Sequence, residues 1–269
     1  MTLYYIIILA IVQGISEFLP ISSSGHLVLT HALMDGEVNN LCWAENRLMD
    51  VAVHVGTLLS VLIYFRDDLF GMACKAFSFQ STDSRLLQNI IIASLPVIAI
   101  GFIIQMWEPS LLCSLKIMAW MALIFGIVLG IADRFKLSKS IDDMTRSNAF
   151  IIGLSQALAL IPGVSRSGIT MTSARFLGFS RVDAAKFSLL LSIVAISGAG
   201  LLTSIDLYQI GNIDLGLDVF LAVLFSFIFG YIAITLMMKW LSQSTFKPFV
   251  IYRVILGLVL LGLLYGGVL

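Results

Sequence analysis

The sequence predicts an all-α integral membrane protein in which six transmembrane spans and two re-entrant helical hairpins form an inverted-topology repeat. Three observations carry that prediction. Of the 269 residues, 59% are hydrophobic and 12% charged, with a mean hydropathy of +1.01; a water-soluble domain carries about a quarter charged residues. Six apolar stretches reach the roughly 20 residues that a helix needs to cross the hydrocarbon core. Two further apolar regions are broken by Pro, Gly and Ser and hold ionisable groups, the pattern of paired half-helices rather than straight spans.

Taken in order, residues 2–34 form the first re-entrant region, followed by spans at 48–65, 88–106 and 115–132. Residues 147–177 form the second re-entrant region, followed by spans at 186–205, 219–238 and 249–268. The whole chain, 1–269, is one membrane domain, with repeat one at 1–134 and repeat two at 147–269. No Lys or Arg precedes Arg47, so the apolar stretch Leu3 to Val12 lacks the positive region that heads a cleavable signal peptide. Cys42, Cys74 and Cys113 have neither CxxC nor His-paired spacing, which argues against zinc and against a disulfide framework; they read as small buried hydrophobes.

Sixteen basic residues balance sixteen acids, which excludes a nucleic-acid binder that relies on bulk positive potential. Their distribution is uneven. Segments 66–86, 133–148, 175–186 and 239–253 gather most of the Lys and Arg, Arg253 included, and by the positive-inside rule face the cytoplasm. Segments 35–50, 107–116 and 206–218 are acidic and face outward, with both termini on that side. Glu17 and Arg166 fit neither surface. Both lie inside the interrupted regions, and an ionisable group at membrane depth marks a functional site.

Sliding the chain by 143 residues superposes Ile8 on Ile151, Gln13 on Gln156, Ser22 on Ser165, Ser24 on Ser167 and Gly25 on Gly168. Each matched region precedes three spans, an odd number, so the halves must run in opposite orientations. In the first motif, Gln13 and Glu17 share a helix face at i, i+4 and Pro20 ends the helix. Ser22 or Ser23 caps the next helix, whose N–H groups from Ser23 to His26, with Ser22, Ser24 and Gly25, suit a phosphate. Ser23 and His26 at i, i+3 set a hydroxyl beside an imidazole, as a serine nucleophile requires. The second motif, Pro162-Gly163-Val164-Ser165-Arg166-Ser167-Gly168-Ile169-Thr170, repeats the turn and offers Arg166 in place of Ser23. Its planar, bidentate guanidinium suits phosphate oxygens, supported by Ser165, Ser167, Gly168 and Thr170. His54, near Asp50 and Thr57, is a further candidate for the pocket wall.

QGISEFLPISSSGH and PGVSRSGIT, with DVAVHVGTLLSV, DDMT at 142–145 and FSLLL at 187–191, resemble the undecaprenyl-diphosphate phosphatase (bacitracin-resistance protein) family over nearly the whole chain. The resemblance implies hydrolysis of a C55 isoprenyl diphosphate to its monophosphate, which recycles the lipid carrier of cell-wall synthesis, with a divalent cation, Mg2+ or Ca2+, as cofactor. It implies catalytic roles for Ser23, His26, Glu17 and Arg166, importance for Ser165 beside Arg166, a pocket role for Gln13 and metal contact through Glu17, mainly by way of the diphosphate. It implies a place in the bacterial cytoplasmic (inner) membrane, and with the acidic segments facing outward the site is expected to open to the outer, periplasmic side. Two positions depart from the family pattern: Gln13 stands where many members have Glu, and Val194 where relatives commonly have Pro.

The favoured chemistry is attack by Ser23 with His26 as general base; a water activated by His26 or Glu17 would use the same residues. The expected partners are a polyprenyl diphosphate and membrane lipids, with no nucleic acid; the sequence leaves a homodimer open. The rival reading is a lipid flippase or ion-coupled transporter with a midplane phosphate site, since inverted repeats with broken helices serve transport as well, and fold alone does not choose. Asp142 and Asp143 read as an N-cap, Gly126-x-x-x-Gly130 and Gly262-x-x-x-Gly266 as helix-packing motifs, Gln156 as a hydrogen-bonding partner of a half-helix, and His31 as an interfacial residue.

Overall fold

The computed structural model describes residues 2–35, 47–76, 82–107, 114–135, 139–210 and 216–267. The helices are α1 (Leu3–Ser16), α2 (Ser23–Asp35), α3 (Arg47–Tyr64), α4 (Arg66–Cys74), α5 (Thr82–Trp107), α6 (Leu115–Ala132), α7 (Arg146–Gln156), α8 (Arg166–Phe176), α9 (Arg181–Ile210), α10 (Leu217–Leu241) and α11 (Lys247–Tyr265). The chain is all-helical among the described residues apart from one isolated bridge, Lys139 with Phe179. Five helices, α5, α6, α9, α10 and α11, are long and apolar enough to cross a membrane. A sixth candidate is α3 with α4, which meet at a 72° bend. α5 and α9 begin before the apolar stretches expected at 88 and 186, because polar first turns, Thr82 to Arg85 and Arg181 to Lys186, extend them beyond the hydrocarbon.

Small residues let these helices approach closely. A Cβ on Gly56 of α3 would overlap the Val223 carbonyl of α10, and one on Gly153 of α7 would overlap the Ala93 carbonyl of α5. Gly126 and Gly130 press α6 against Arg253 and Val250 of α11, as their spacing predicts, whereas no described residue approaches Gly262. α6 still reaches this end of α11, where Lys116 lies over the Tyr265 ring, so Gly262 and Gly266 face away from that contact and pack no helix among the described residues. Large apolar side chains such as Leu95, Ile98 and Phe102 of α5 and Ile255 and Leu258 of α11 stay exposed, a surface suited to lipid rather than water.

Two apolar regions break into shorter helices. α1 stops at Ser16, the chain turns through Pro20, and α2 starts at Ser23; α7 stops at Gln156, the chain turns through Pro162 and Gly163, and α8 starts at Arg166. Among the described non-glycine residues, positive φ occurs only at Ser22 (75°) and Ser165 (72°), the two positions that the internal alignment superposes. Each costs about 1–2 kcal/mol for an L-residue, so the same strained turn is held twice. From each turn the first helical bond follows identically: His26 N–H donates to the Ser22 carbonyl (3.3 Å) and Ile169 N–H to the Ser165 carbonyl (2.9 Å).

The basic segments meet at one end of the bundle. Lys186 Nζ lies 2.6 Å from Asp68, Arg146 donates to Gln88 (2.9 Å), and Arg181 reaches Asp133 (2.5 Å), which also accepts the Phe246 N–H (3.0 Å). At the opposite ends of α2 and α3, His31 bonds Asp50 (3.1 Å) and the Tyr5 hydroxyl.

Four expectations need correction. Cys74 is exposed, because α4 bends off α3 onto the surface; Cys42 and Cys113 lie outside the described residues, as do Glu37, Glu45, Glu108 and Asp214. Asp142 and Asp143 sit in a short 3-10 turn closed by Ser140, and Thr145 caps α7 by accepting the Asn148 N–H (3.2 Å). Gln156 is buried without a hydrogen bond to either amide atom among the described residues, since the following turn leaves no group in reach. Arg253 does not face the cytoplasm. It is fully buried, held by carbonyls that a surface position could not supply.

Candidate active site

Glu17 is the hub. It is the first residue past α1, and the turn directs its carboxylate inward, where it is 8% exposed. Gln13, one helical turn earlier, donates through Nε2 to Glu17 Oε2 (2.9 Å), as the i, i+4 spacing predicts. Ser23 Oγ donates to the same oxygen (2.7 Å). Arg166 Nη2 donates to Oε1 (2.7 Å), joining residues 149 apart in sequence, and His54 Nε2 of α3 stands 4.0 Å from Oε2. The two leftover charges are thus an ion pair, with side chains 15% (Arg166) and 7% (Glu17) exposed. Pairing is what makes burial of either charge tolerable.

Hydrogen bonds between the two turns fix this meeting. Ser167 Oγ donates to the Leu19 carbonyl (2.8 Å), tying the start of α8 to the first turn. Arg253 of α11 donates to the Pro20 carbonyl of the first turn (3.5 Å), to Gly163 and Val164 of the second (2.9 Å each), and to Ala122 (3.2 Å) and Met121 (3.4 Å) of α6. One guanidinium therefore staples both breaks to one another. Its packing explains a glycine in the second motif: a Cβ on Gly168 would lie 2.6 Å from Arg253 Nη1. Gly163 is constrained too, because its φ is 92° and a Cβ there would overlap the Met118 carbonyl. Arg253 was not expected here, although a signal was present: it stands inside the apolar stretch 249–268.

The remaining candidates divide into two groups. Ser165 caps α8, its Oγ accepting the Gly168 N–H (3.1 Å). Thr170 is buried and bonded to Ser188 of α9 (2.7 Å), with the Arg166 carbonyl as a further acceptor (2.9 Å), so it locks α8 on α9. Ser22 lies buried at the first turn, with its Oγ 3.4 Å from Ser24 Oγ, and Gly25 packs on Met118. Ser24 is exposed, while Ser23, His54 and Arg166 are partly so, which makes this the open side of the site.

His26 does not bond Ser23. Its Nδ1 bonds the Ser22 carbonyl (2.7 Å) and its Nε2 the hydroxyl of Tyr252 (2.5 Å), with the two rings stacked 5.6 Å apart. A carbonyl only accepts, so Nδ1 carries the proton and Nε2 receives that of Tyr252. Tyr252 was not foreseen; it neighbours Arg253 in a helix with no motif of its own.

The sequence profile described as bacitracin resistance protein BacA matches residues 6–259. The chain belongs to this family. The match includes both turns, Glu17, Arg166, Tyr252 and Arg253. Among similar relatives, the undecaprenyl-diphosphatase of Hahella chejuensis is 44% identical over 270 residues, covering 98% of this chain and 99% of its own length. That of Campylobacter concisus is 45% identical over 267 residues, covering 97% and 98%. Undecaprenyl-diphosphatase 1 of Rhodospirillum rubrum is 39% identical over 274 residues, covering 99% and 97%. These three names all describe a diphosphatase, which gives the flippase or transporter reading no support.

Proposed function

We propose that this protein hydrolyses undecaprenyl diphosphate to undecaprenyl monophosphate and inorganic phosphate at the Glu17–Ser23–Arg166 site, so returning the lipid carrier to cell-wall synthesis. Full-length similarity to undecaprenyl-diphosphatases supports the reaction. One observation of geometry carries the site: a serine hydroxyl donates to a buried carboxylate that also holds an arginine from the opposite half of the chain.

Arg166 has five N–H donors. Its bonds to Glu17 and to the Ser188 carbonyl (3.2 Å) leave others for the equatorial oxygens of the terminal phosphoryl group, where charge stabilisation is the main catalytic task. As Arg166 engages phosphate, Glu17 loses part of its cationic partner and becomes a better proton acceptor. Ser23 Oγ then attacks the terminal phosphorus, its proton passes to Glu17, and the bridging P–O bond breaks to free the lipid monophosphate. Water cleaves the resulting phosphoserine and releases phosphate. The 2.7 Å contact favours Glu17 over His26 as acceptor of the serine proton; His26, with Tyr252, borders the same turn and is available to the leaving group or to water.

A divalent cation, Mg2+ or Ca2+, fits the donor set. Gln13 Oε1 is buried without a hydrogen-bond partner beside Glu17, and hard oxygen donors with one carboxylate suit a cation bound largely through substrate phosphates. Among the described residues no group of three His, Cys, Asp or Glu is placed to hold a metal ion. Glu17 and the Gln13 carbonyl would hold it, and it would neutralise diphosphate charge.

The arrangement in the membrane follows the same reading: six spans, with α1–α2 and α7–α8 as re-entrant hairpins of two inverted repeats, 1–134 and 147–269. The matching φ values at Ser22 and Ser165 support the repeat, and the gathered basic segments support a cytoplasmic end, with the site opening outward from the inner membrane.

Phosphate release from undecaprenyl diphosphate by detergent-purified protein tests the function. Activity without any gradient, abolished in Arg166→Ala and Ser23→Ala, is expected. Full activity in Ser23→Ala would remove the serine as nucleophile, and no hydrolysis by the wild type would return the transporter reading. Retained activity in His26→Ala alongside loss in Glu17→Gln would assign the proton acceptor.

A further inference from the structure

At the basic end, far in sequence from the residues around Glu17, the end of α6, the α8–α9 turn and the α10–α11 turn enclose a cavity of about 990 Å³. This is at the upper end of ligand-sized pockets. Its polar wall carries Arg134, Arg175, Arg181 and Lys247 around a single carboxylate, Asp133. Two of these cations are occupied. Arg181 bonds Asp133 (2.5 Å), and buried Arg175 bonds the carbonyls of Phe179 (2.5 Å) and Phe135. Arg134 and Lys247 are different: both are exposed, and among the described residues neither has an acidic partner within 4.0 Å. They are excess positive charge that the fold does not consume.

Further into the same two helices the lining is apolar: Ile127 and Ile131 of α6 with Val250 and Ile251 of α11. Ile127, Ile131 and Ile251 are 48%, 49% and 57% exposed. All three belong to apolar spanning helices, so their open faces meet hydrocarbon rather than water. From Ile127 to Arg134 the lining passes from hydrocarbon to cation within about 10 Å, at 1.5 Å per helical residue. A free anion would use only the cationic wall. A molecule that uses both walls bears an anionic phosphate next to acyl chains.

We propose that this cavity is a binding site for an anionic phospholipid, its headgroup phosphate on Arg134 and Lys247 and its chains along Ile127, Ile131 and Ile251. Basic pockets between helices on the positively charged side of a membrane protein recognise such headgroups, and juxtamembrane cations each contribute about a fivefold gain in affinity for anionic lipid. The site shares no lining residue with the Glu17–Arg166 centre, so it is separate from substrate hydrolysis.

Native mass spectrometry of the full-length protein in neutral detergent, titrated with phosphatidylglycerol or phosphatidylcholine, tests the assignment against the double variant Arg134→Gln/Lys247→Gln. Neither side chain supports the fold, so thermal unfolding and phosphate release in detergent should match the wild type. Wild type should retain phosphatidylglycerol over phosphatidylcholine, and the double variant should bind phosphatidylglycerol about 30-fold more weakly. Millimolar inorganic phosphate should not displace the lipid. Equal retention of the two lipids by wild type, or unchanged phosphatidylglycerol binding in the double variant, would overturn the proposal. Displacement by inorganic phosphate would overturn it in favour of a simple anion site.

Discussion

Ser22 and Ser165 adopt the same left-handed backbone, at φ 75° and 72°, each just before a helix that opens with the same hydrogen bond. The residue that follows differs in kind, a hydroxyl at Ser23 and a permanent cation at Arg166. The helix before each turn differs as well. Gln13 has Glu17 one turn on and bonds it, whereas the matching Gln156 has Leu160 there and no hydrogen bond among the described residues. A turn that presents its next side chain to the centre is a scaffold without chemistry of its own. On the function proposed above, two identical copies would give either two nucleophiles with no charge stabilisation or two cations with nothing to attack. Different residues at two matching positions put acid and hydroxyl at the first turn and the cation at the second, and Arg253 bonds both turns.

The comparison can be tested from its strongest point downward. Arg166→Ala should lower kcat by about 10³-fold in a phosphate-release assay, the scale of an arginine that stabilises phosphoryl charge, and Arg166→Lys should recover only a small part because an ammonium lacks the fork. Wild-type-like turnover in Arg166→Ala would mean that the second turn is only structural. Arg253→Met should destabilise the fold by about 3 kcal/mol, read by thermal unfolding in detergent, because several buried carbonyls lose their donor; an unchanged melting temperature would show that the turns hold without the staple. Ser165→Ala should cost about 1 kcal/mol through loss of the α8 cap. Ser22→Gly should change stability by no more than about 0.5 kcal/mol, because relief of the positive φ offsets the entropy of glycine. A large loss in Ser22→Gly would give the Ser22 hydroxyl a structural role like that of Ser165, which its 3.4 Å contact with Ser24 does not suggest.

Much of the site was legible. Glu17 and Arg166 stood out because a charge in an apolar region must have a partner, and the structure makes each the partner of the other. Gln13 followed from helical spacing, whereas a cap was read only at Ser22 or Ser23 and the structure finds one at Ser165. The pairing of Ser23 with His26 was an inference from i, i+3 proximity that ignored direction. At the start of α2 the serine turns toward the carboxylate left by α1, while the imidazole turns to the carbonyl of Ser22 and to α11. The partners of Tyr252 and Arg253 were out of reach for a related reason: they are a ring and backbone carbonyls distant in the chain, which no local pattern encodes. Arg253 was misplaced because counting cations by segment assumes that each one seeks water, whereas a guanidinium with enough carbonyl acceptors can stay inside.

Hydropathy by itself located the long apolar helices, because lipid demands long apolar segments whose backbone bonds are satisfied internally. The sequence also determined where two segments break, because Pro, Gly and capping serines act locally. Only the tertiary structure decided which groups meet. The partner of Ser23 is Glu17, the partner of Glu17 is Arg166 from the other half, and the element that joins both turns is a buried arginine on α11, because those choices depend on directions and distances between elements far apart in the chain.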